Sequence, residues 1–168
     1  MKKAFTMIEL IFVIVVLGIL AAVALPKFLF VSEQAREANL KSFVGTLNRT
    51  VGPTIWSKAV NEGYDGNIAQ LGSDAELSKY TDIPKEIVSQ DVRYCNNASF
   101  RVVAKATKDR IGGDYDYYVV CRTGTNGKAP KFELVKSKDD LVLGDFNTSD
   151  LYGSTPQIHY KGVTLVTK

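Results

Sequence analysis

Glu9 is the one charged residue inside a long apolar run near the start of the 168-residue chain. From Phe5 to Leu25 the only other polar side chain is that of Thr6. An unpaired buried carboxylate costs several kcal/mol, so Glu9 requires a positive partner. Cleavage between Ala4 and Phe5 would create one, because the new amino group lies one helical turn from Glu9. The amine of an adjacent, axially offset subunit can serve equally, and Glu9 then sets the register in which subunits assemble.

The apolar run has three interpretations, each of which predicts a different mature protein. A secretory signal would be cleaved after Ala24, where Ala22-Val23-Ala24 supplies the small residues that such a site needs. A plain uncleaved anchor explains the length, since about 21 helical residues rise roughly 31 Å and the hydrocarbon core is roughly 30 Å thick. Cleavage before Phe5 explains the length and also gives Glu9 a partner. These residues alone leave the three interpretations open.

Charge and cysteine content bound the location and the partners of the rest of the chain. The net charge of +3 argues against a strongly basic nucleic-acid binder. Lys2 and Lys3 precede the apolar run and favour a cytoplasmic N-terminus, with the remainder of the chain on the far side of the membrane. In an oxidising compartment Cys95 and Cys121 can form a disulfide, and the alternative is two buried thiols.

The apolar run is predicted to continue as an amphipathic helix. Gly18 and Pro26 interrupt it, and Pro26 removes a hydrogen bond and so bends or loosens the helix. Beyond Pro26 the apolar residues recur at helical spacing and predict a stripe that packs on a sheet. The members of this stripe are Phe28, Val31, Ala35, Val44, Leu47, Val51 and Ile55. The residues predicted on the opposite face are Glu33, Arg36, Glu37, Lys41 and Arg49. We expect an interruption near Gly52-Pro53 and an end at Asn61-Glu62-Gly63.

Strand signals dominate the later part of the chain. Runs rich in β-branched and aromatic residues, separated by turn residues, lie at 88–94, 99–106, 115–122 and 132–136. Residues 159–166 give a fifth strand or a hairpin. The sequence therefore predicts an α+β fold, in which one long helix packs on an antiparallel sheet of about four to five strands.

The N-terminal segment, residues 2–30, resembles the class III signal of type IV pilins and of the pseudopilins of type II secretion. The resemblance rests on Lys-Lys-Ala before Phe5, on the Phe-Thr-Met-Ile-Glu-Leu segment that carries Glu9, and on an aliphatic run ending in Ala-Leu-Pro-Lys at Pro26. It implies that a prepilin peptidase cuts before Phe5 and methylates its amine, which Glu9 of a neighbouring subunit contacts. Such leaders usually end in Gly, whereas this one ends in Ala4, which is also small.

The resemblance also implies a pilin-like domain order and a function. Residues 1–4 would be a cytoplasmic leader, 5–25 the transmembrane and filament-core helix, 26–60 its amphipathic continuation and 61–168 the exported domain. The chain would be a structural subunit of a pilus or pseudopilus, anchored once in the bacterial inner membrane with its C-terminal domain periplasmic. An inner-membrane machine would add it to a homo- or heteropolymeric filament, and the helix would unwind near Pro26 and Gly18 during assembly.

Two acidic clusters are candidates for calcium binding, although neither has the residue order of a calcium loop, so we predict solvated turns. The first surrounds Gly112-Gly113 and comprises Asp109, Asp114 and Asp116. The second comprises Asp139, Asp140, Asp145 and Asp150. Asn147 lies in an Asp-Phe-Asn-Thr-Ser segment, which is a candidate glycosylation acceptor that a polar turn also explains.

No residue pattern predicts an enzyme. His159 is the single histidine, and no nucleophile–base pair, phosphate loop or zinc pattern accompanies it. A mildly basic run would contact nucleic acid only in a DNA-uptake filament, and its acidic neighbours favour a solvated strand face. The run comprises Lys128, Lys131, Lys136 and Lys138. The rival interpretation is a periplasmic binding or enzymatic domain, either tethered by a plain anchor or released after Ala24.

Overall fold

The computed structural model describes residues 6–96, 99–144 and 163–166. It has the predicted α+β, pilin-like architecture, in which a long N-terminal helix precedes shorter helices and a five-stranded antiparallel sheet. The helices are α1 (Met7–Thr46), α2 (Gly52–Asn61) and α3 (Lys108–Ile111), with a π-helical segment at Leu47–Val51 and 3₁₀ segments at Ile68–Ala75, Leu77–Lys79 and Val92–Tyr94. The strands are β1 (Ile87–Gln90), β2 (Arg101–Ala106), β3 (Asp116–Arg122), β4 (Lys131–Ser137) and β5 (Thr164–Leu165).

The first part of α1 is an exposed apolar rod. Its window Met7–Leu25 has a mean hydropathy of 3.0 and 0% of it is buried, so it is long and apolar enough to cross a membrane. The helix runs through Gly18 and Pro26 without a break in its assignment, and loosening at these residues stays a prediction about assembly. Leu40 is the first buried residue among the described side chains. We call residues 7–39 the rod and the described residues from 40 onward the head.

A wider helical turn accommodates Gly52-Pro53 in the predicted region of interruption. In a regular helix a proline ring clashes with the carbonyl four residues earlier, and the π-helical segment Leu47–Val51 makes room for it. Gly52 is also needed, because a Cβ at this position would lie 2.7 Å from the Leu47 carbonyl oxygen. The helical path therefore continues into α2, which begins at Gly52 and ends at Asn61.

The strands form a meander in the order β1-β2-β3-β4-β5, each antiparallel to the next. The first strand is shorter than predicted and ends at Gln90. The Asp91 carboxylate accepts the Arg93 N–H at 2.9 Å, which starts a 3₁₀ turn in place of further strand. The last strand is Thr164–Leu165, and His159 lies outside the described residues.

Both faces of the sheet are covered by apolar side chains. The α1–α2 face carries the main core, where the predicted stripe residues Val44, Leu47, Val51 and Ile55 are buried. The opposite face carries a second cluster, whose buried members are Phe100, Val102, Tyr118, Val120, Val135, Leu141 and Val163. A central strand such as β3 is therefore buried on both faces, which explains its continuous apolar run.

The predicted stripe is wrong in its first half. Phe28 and Val31 are 73% and 61% exposed and belong to the rod, although helical spacing placed them on the sheet. The head does not extend far enough down the helix to cover them. Instead Glu33, Arg36 and Glu37, which were predicted to face solvent, are half-buried on the side that faces the head.

The predicted disulfide between Cys95 and Cys121 is present, with the two Cα atoms 5.3 Å apart. It joins the segment that follows the Val92–Tyr94 turn to the central strand β3, and both cysteines are fully buried. A loop of 26 residues is closed, for which the chain-entropy model gives a stabilisation of about 3 kcal/mol. The disulfide therefore links two segments of the head.

Candidate functional site

The predicted assembly residue Glu9 lies in the first turn of α1, where it forms a capping box with Thr6. The Thr6 N–H donates to Glu9 Oε2 at 2.8 Å, and the Thr6 hydroxyl donates to the same oxygen at 2.7 Å. The Glu9 N–H in turn faces Thr6 Oγ1 at 3.4 Å. These contacts satisfy helix-end donors and hold the carboxylate against the first turn of the helix.

The capping box was missed in the sequence, although its signal is there. A Thr followed three residues later by Glu, immediately before an apolar run, is the pattern that such boxes show. The sequence argument looked for a charge partner of Glu9 and overlooked Thr6 as a local hydrogen-bond partner. Glu9 consequently has a local role in capping the N-terminus of α1, in addition to any role between subunits.

The capping box leaves half of the Glu9 carboxylate free. Oε2 takes both Thr6 donors, whereas Oε1 accepts no hydrogen bond from any residue that the structure describes. Ile8, Phe12 and Val13, together with Glu9, line an open apolar groove of about 320 Å³. Ile8 and Phe12 are 75% and 69% exposed. The first turns of α1 thus carry both a carboxylate with one unoccupied oxygen, among the described contacts, and large exposed apolar side chains.

The structure brings only part of the predicted site together. Ala4 and Phe5, the predicted cleavage and methylation residues, lie outside the described residues, as does Asn147. Gly18 lies within the apolar window of α1, where an added Cβ would meet nothing within 4 Å. The cysteines lie in the core of the head.

One residue of the first acidic cluster, Asp116, is engaged in local structure. Asp116 Oδ1 accepts the Lys108 N–H at 2.7 Å and so caps α3, and its Oδ2 lies 4.0 Å from Lys105 Nζ. Lys105 also pairs with Asp140 of the second cluster. Among the described residues no three acidic, histidine or cysteine side chains come together as a metal site would need. Asp145 and Asp150 lie outside these residues, and the solvated turn predicted there stays a prediction.

The basic run is divided between separate environments. Lys131 pairs with Glu133 at 2.9 Å. Lys136 and Lys138 instead lie over the Tyr115 ring, with their ammonium nitrogens 5.0 and 5.3 Å from its centroid. Such cation–π contacts are satisfied within the head and do not require an anionic ligand. The arrangement gives no support to a continuous nucleic-acid surface.

Comparison with known proteins agrees with the geometry of the rod. Residues 1–25 match the model of the prokaryotic N-terminal methylation motif. The chain is 53% identical over 38 residues to the type IV narrow pilus major component PilA5 of Thermus thermophilus. That segment is 23% of this chain and spans about a third, 33%, of the length of the relative. No solved structure matches the chain.

The similarity therefore falls on the part of the molecule that contains the capping box, the free carboxylate oxygen and the exposed apolar helix. The head is an α+β unit in which a helix packs on an antiparallel sheet. The chain carries the prokaryotic N-terminal methylation motif, and its similarity to a type IV pilus component is confined to a short segment.

Proposed function

We propose that this protein is a structural subunit of a type IV pilus or of a type II secretion-type pseudopilus. It is inserted in the bacterial inner membrane with its N-terminus cytoplasmic and its head periplasmic. A prepilin peptidase cleaves it between Ala4 and Phe5 and methylates the new amine, and an inner-membrane machine adds it to a filament. The single observation that carries this proposal is the bare apolar rod that begins with a half-satisfied carboxylate.

The rod suits a subunit that moves from a membrane into a filament. Its apolar side chains are covered by lipid before assembly and by other rods afterwards. This exchange gains little from the hydrophobic effect, because lipid tails are as apolar as the side chains. Packing and polar pairing must therefore decide whether and in which register a subunit is added.

Pairing of Glu9 can determine whether and in which register a subunit is added. Its Oε1 is free of described partners, and a methylated amine at Phe5 of an adjacent subunit would be a cation of the right kind. In a low-dielectric filament core, a register that leaves the carboxylate unpaired is penalised by several kcal/mol, whereas a paired register is not. Because the capping box already holds the carboxylate in place, little side-chain entropy is lost on pairing.

The mass of the mature N-terminus tests the processing step. A chain purified from membranes that begins with methylated Phe5 supports the proposal. A chain that begins at Leu25 is a secreted protein, and one that retains Met1 is a plain membrane-anchored domain. Either of the last two results contradicts the proposal and favours the periplasmic binding or enzymatic domain.

Substitution of Glu9 tests the assembly step. Glu9→Val should be cleaved and methylated normally, and its yield of sheared filaments should fall below detection. Thr6→Ala is the matched control, since it removes the two capping contacts of the Thr6 hydroxyl but retains the backbone N–H bond to Glu9 and the charge. It should still assemble, at a reduced yield. If Thr6→Ala lost filaments as completely as Glu9→Val, Glu9 would act through helix capping and not through charge.

A further inference from the structure

Three polar residues of α1 face the head just before the apolar core begins. Glu33, Arg36 and Glu37 are spaced three and four residues apart, so they lie on the same side of the helix as Leu40. All three are half-buried, whereas the flanking Gln34 and its neighbours on the other side of the helix are exposed. The head therefore reaches past its apolar core and contacts the rod through polar groups.

Two of these residues make hydrogen bonds to different parts of the head. The Arg36 guanidinium donates to the carbonyl oxygen of Arg110 in α3. Arg110 in turn donates from Nη1 to the Lys85 carbonyl oxygen at 2.6 Å, just before β1. The Tyr117 hydroxyl of β3 donates to Glu37 Oε2 at 2.5 Å. One turn of α1 is thus linked directly to α3 and β3, and through Arg110 to the segment before β1.

Glu33 contacts the head at a glycine turn. Its carboxylate lies against Gly113, where an added Cβ would be 2.6 Å from Glu33 Cδ. Gly112 and Gly113 have φ angles of +89° and +88°, which L side chains rarely adopt. The pair of glycines after α3 therefore allows both the tight turn and the close approach of the helix side chain.

These contacts are the ones that hold the head to α1 ahead of Leu40. Between Glu33 and Leu40 the helix rises roughly 10 Å, at about 1.5 Å per residue. Among described side chains of the rod none is buried, so no apolar core fixes the head there. Hydrogen bonds are directional, and two of them on one helix face, together with the close approach of Glu33 to Gly113, restrict the direction in which the rod leaves the head. We call Glu33, Arg36, Glu37, Arg110, Gly113 and Tyr117 the polar collar.

We propose that the polar collar is a positioning site that sets the angle between head and rod. This inference rests on the proposed function, because an angle matters where rods pack in a fixed register. A head that tilts on its rod would meet the neighbouring heads incorrectly at every addition, so growth would fail although each subunit is folded.

The test uses the full chain in detergent micelles with the Cys95–Cys121 disulfide oxidised. Nitroxide labels at Val23→Cys on the rod and Lys128→Cys on the head, both exposed positions, report the rod-to-head distance by pulsed electron paramagnetic resonance. Filament yield is measured separately, in cells that express the unlabelled form of each variant described below.

Two pairs of variants separate positioning from stability. Arg36→Met keeps the aliphatic stem and removes the bond to Arg110, and exposed Gln34→Ala is its control. Gly113→Ala displaces the Glu33 carboxylate, and Gly63→Ala is its control. Gly63 has a φ of +82° but nothing within 4 Å of an added Cβ, so both alanines are strained and only one disturbs the collar.

The collar variants should broaden and shift the distance distribution, and the controls should not. Loss of one charge-assisted hydrogen bond changes an equilibrium by about tenfold, so we expect filament yield to fall about tenfold for Arg36→Met. The melting temperature of Gly113→Ala should match that of Gly63→Ala. If the collar only stabilised the fold, Gly113→Ala would instead melt at a lower temperature than Gly63→Ala.

Unchanged distances in both collar variants would overturn the proposal, as would changed distances with a filament yield equal to that of the controls. Absence of filaments from the unsubstituted chain would instead overturn the proposed function, and the distances alone would then decide whether the collar fixes the head.

Discussion

The rod and the head of this protein are stabilised in opposite ways. In the rod Leu17 is 57% exposed and Phe12 69% exposed, whereas in the head Leu47 and Ile55 have no exposed surface. The head folds by burying its own side chains on both faces of a sheet. The rod leaves its apolar surface uncovered by the rest of the described chain, and such a surface marks an interaction site. Substitutions in the rod should therefore alter assembly, and substitutions in the head should alter unfolding.

The largest expected contrast is between two leucines of the same helix. Leu47→Ala should reduce the free energy of unfolding of the head by about 2–5 kcal/mol, because it opens a cavity in the core. Leu17→Ala should leave it unchanged. The fluorescence of the single tryptophan, Trp56, reports on the head alone, since its indole N–H donates to the Thr125 carbonyl oxygen at 2.7 Å. Similar losses of unfolding free energy in both variants would mean that the rod is packed in the isolated subunit, and the contrast between rod and head would be wrong.

The disulfide should contribute the next largest effect, again confined to the head. Replacement of Cys95 and Cys121 together by alanine should reduce the free energy of unfolding by about 3 kcal/mol on the chain-entropy model. The measurement is denaturant unfolding of oxidised wild type, reduced wild type and the double variant. The last two should agree. An unchanged midpoint on reduction would show that buried packing around the cysteines, and not the cross-link, stabilises this region.

The sequence predicted the rod more completely than the head. The apolar run and Glu9 are local patterns, and no tertiary contact competes with them along residues 7–25. The antiparallel sheet was also predicted, because β-branched runs and turn residues mark strands locally. The end of β1 was missed, since the Asp91 side chain competes for the backbone N–H of Arg93 and converts the next residues to a 3₁₀ turn.

The polar collar could not be predicted from helical periodicity. A hydrophobic stripe identifies the buried face only where the covering surface is apolar, and here the head meets the helix with a carbonyl, a glycine turn and a tyrosine hydroxyl. Periodicity placed Phe28 and Val31 on the sheet and Glu33, Arg36 and Glu37 in solvent, and it was wrong for both sets. The length of α1 that the head covers depends on the loops of the head, which the helix sequence does not encode.

A smaller effect is expected at Asn48, whose side-chain amide joins the helix to β4. Asn48 Nδ2 donates to the Phe132 carbonyl oxygen at 2.7 Å, and the Phe132 N–H donates to Asn48 Oδ1 at 2.9 Å. Asn48→Ala leaves these backbone groups of β4 without partners and should destabilise the head by about 1–3 kcal/mol.

Thr50→Ala, two residues along the same helix, is the control for Asn48→Ala. Thr50 is exposed and its hydroxyl donates within the helix, to the Thr46 carbonyl oxygen. Thermal unfolding followed at Trp56 should show a clear loss for Asn48→Ala and almost none for Thr50→Ala. If the two variants are equal, water replaces the amide at β4 and the helix is held by apolar packing alone.

The smallest predicted effect is a pH dependence at the boundary between rod and head. Burial acts to raise the pKa of Glu37, but the Tyr117 hydroxyl and the charges of Lys41 and Lys136 outweigh it and hold that pKa below its usual value of 4.5. A carboxyl whose pKa is lowered in the folded state stabilises that state above its unfolded pKa, and loses this contribution as the pH falls through the folded value. The contribution of Glu37 should therefore be complete above about pH 4.5 and decline below it.

Glu37→Gln should remove this pH-dependent part, because the amide still accepts the Tyr117 hydroxyl but has no charge to titrate. At pH 7 the loss should be about 1 kcal/mol or less, and the wild-type and variant unfolding curves should converge as the pH falls below 4.5. Glu76→Gln, at an exposed position of the head, should give no such convergence. Parallel curves for wild type and Glu37→Gln would show that the carboxylate at the collar acts only as a hydrogen-bond acceptor, and the collar would then be as insensitive to pH as the apolar core beside it.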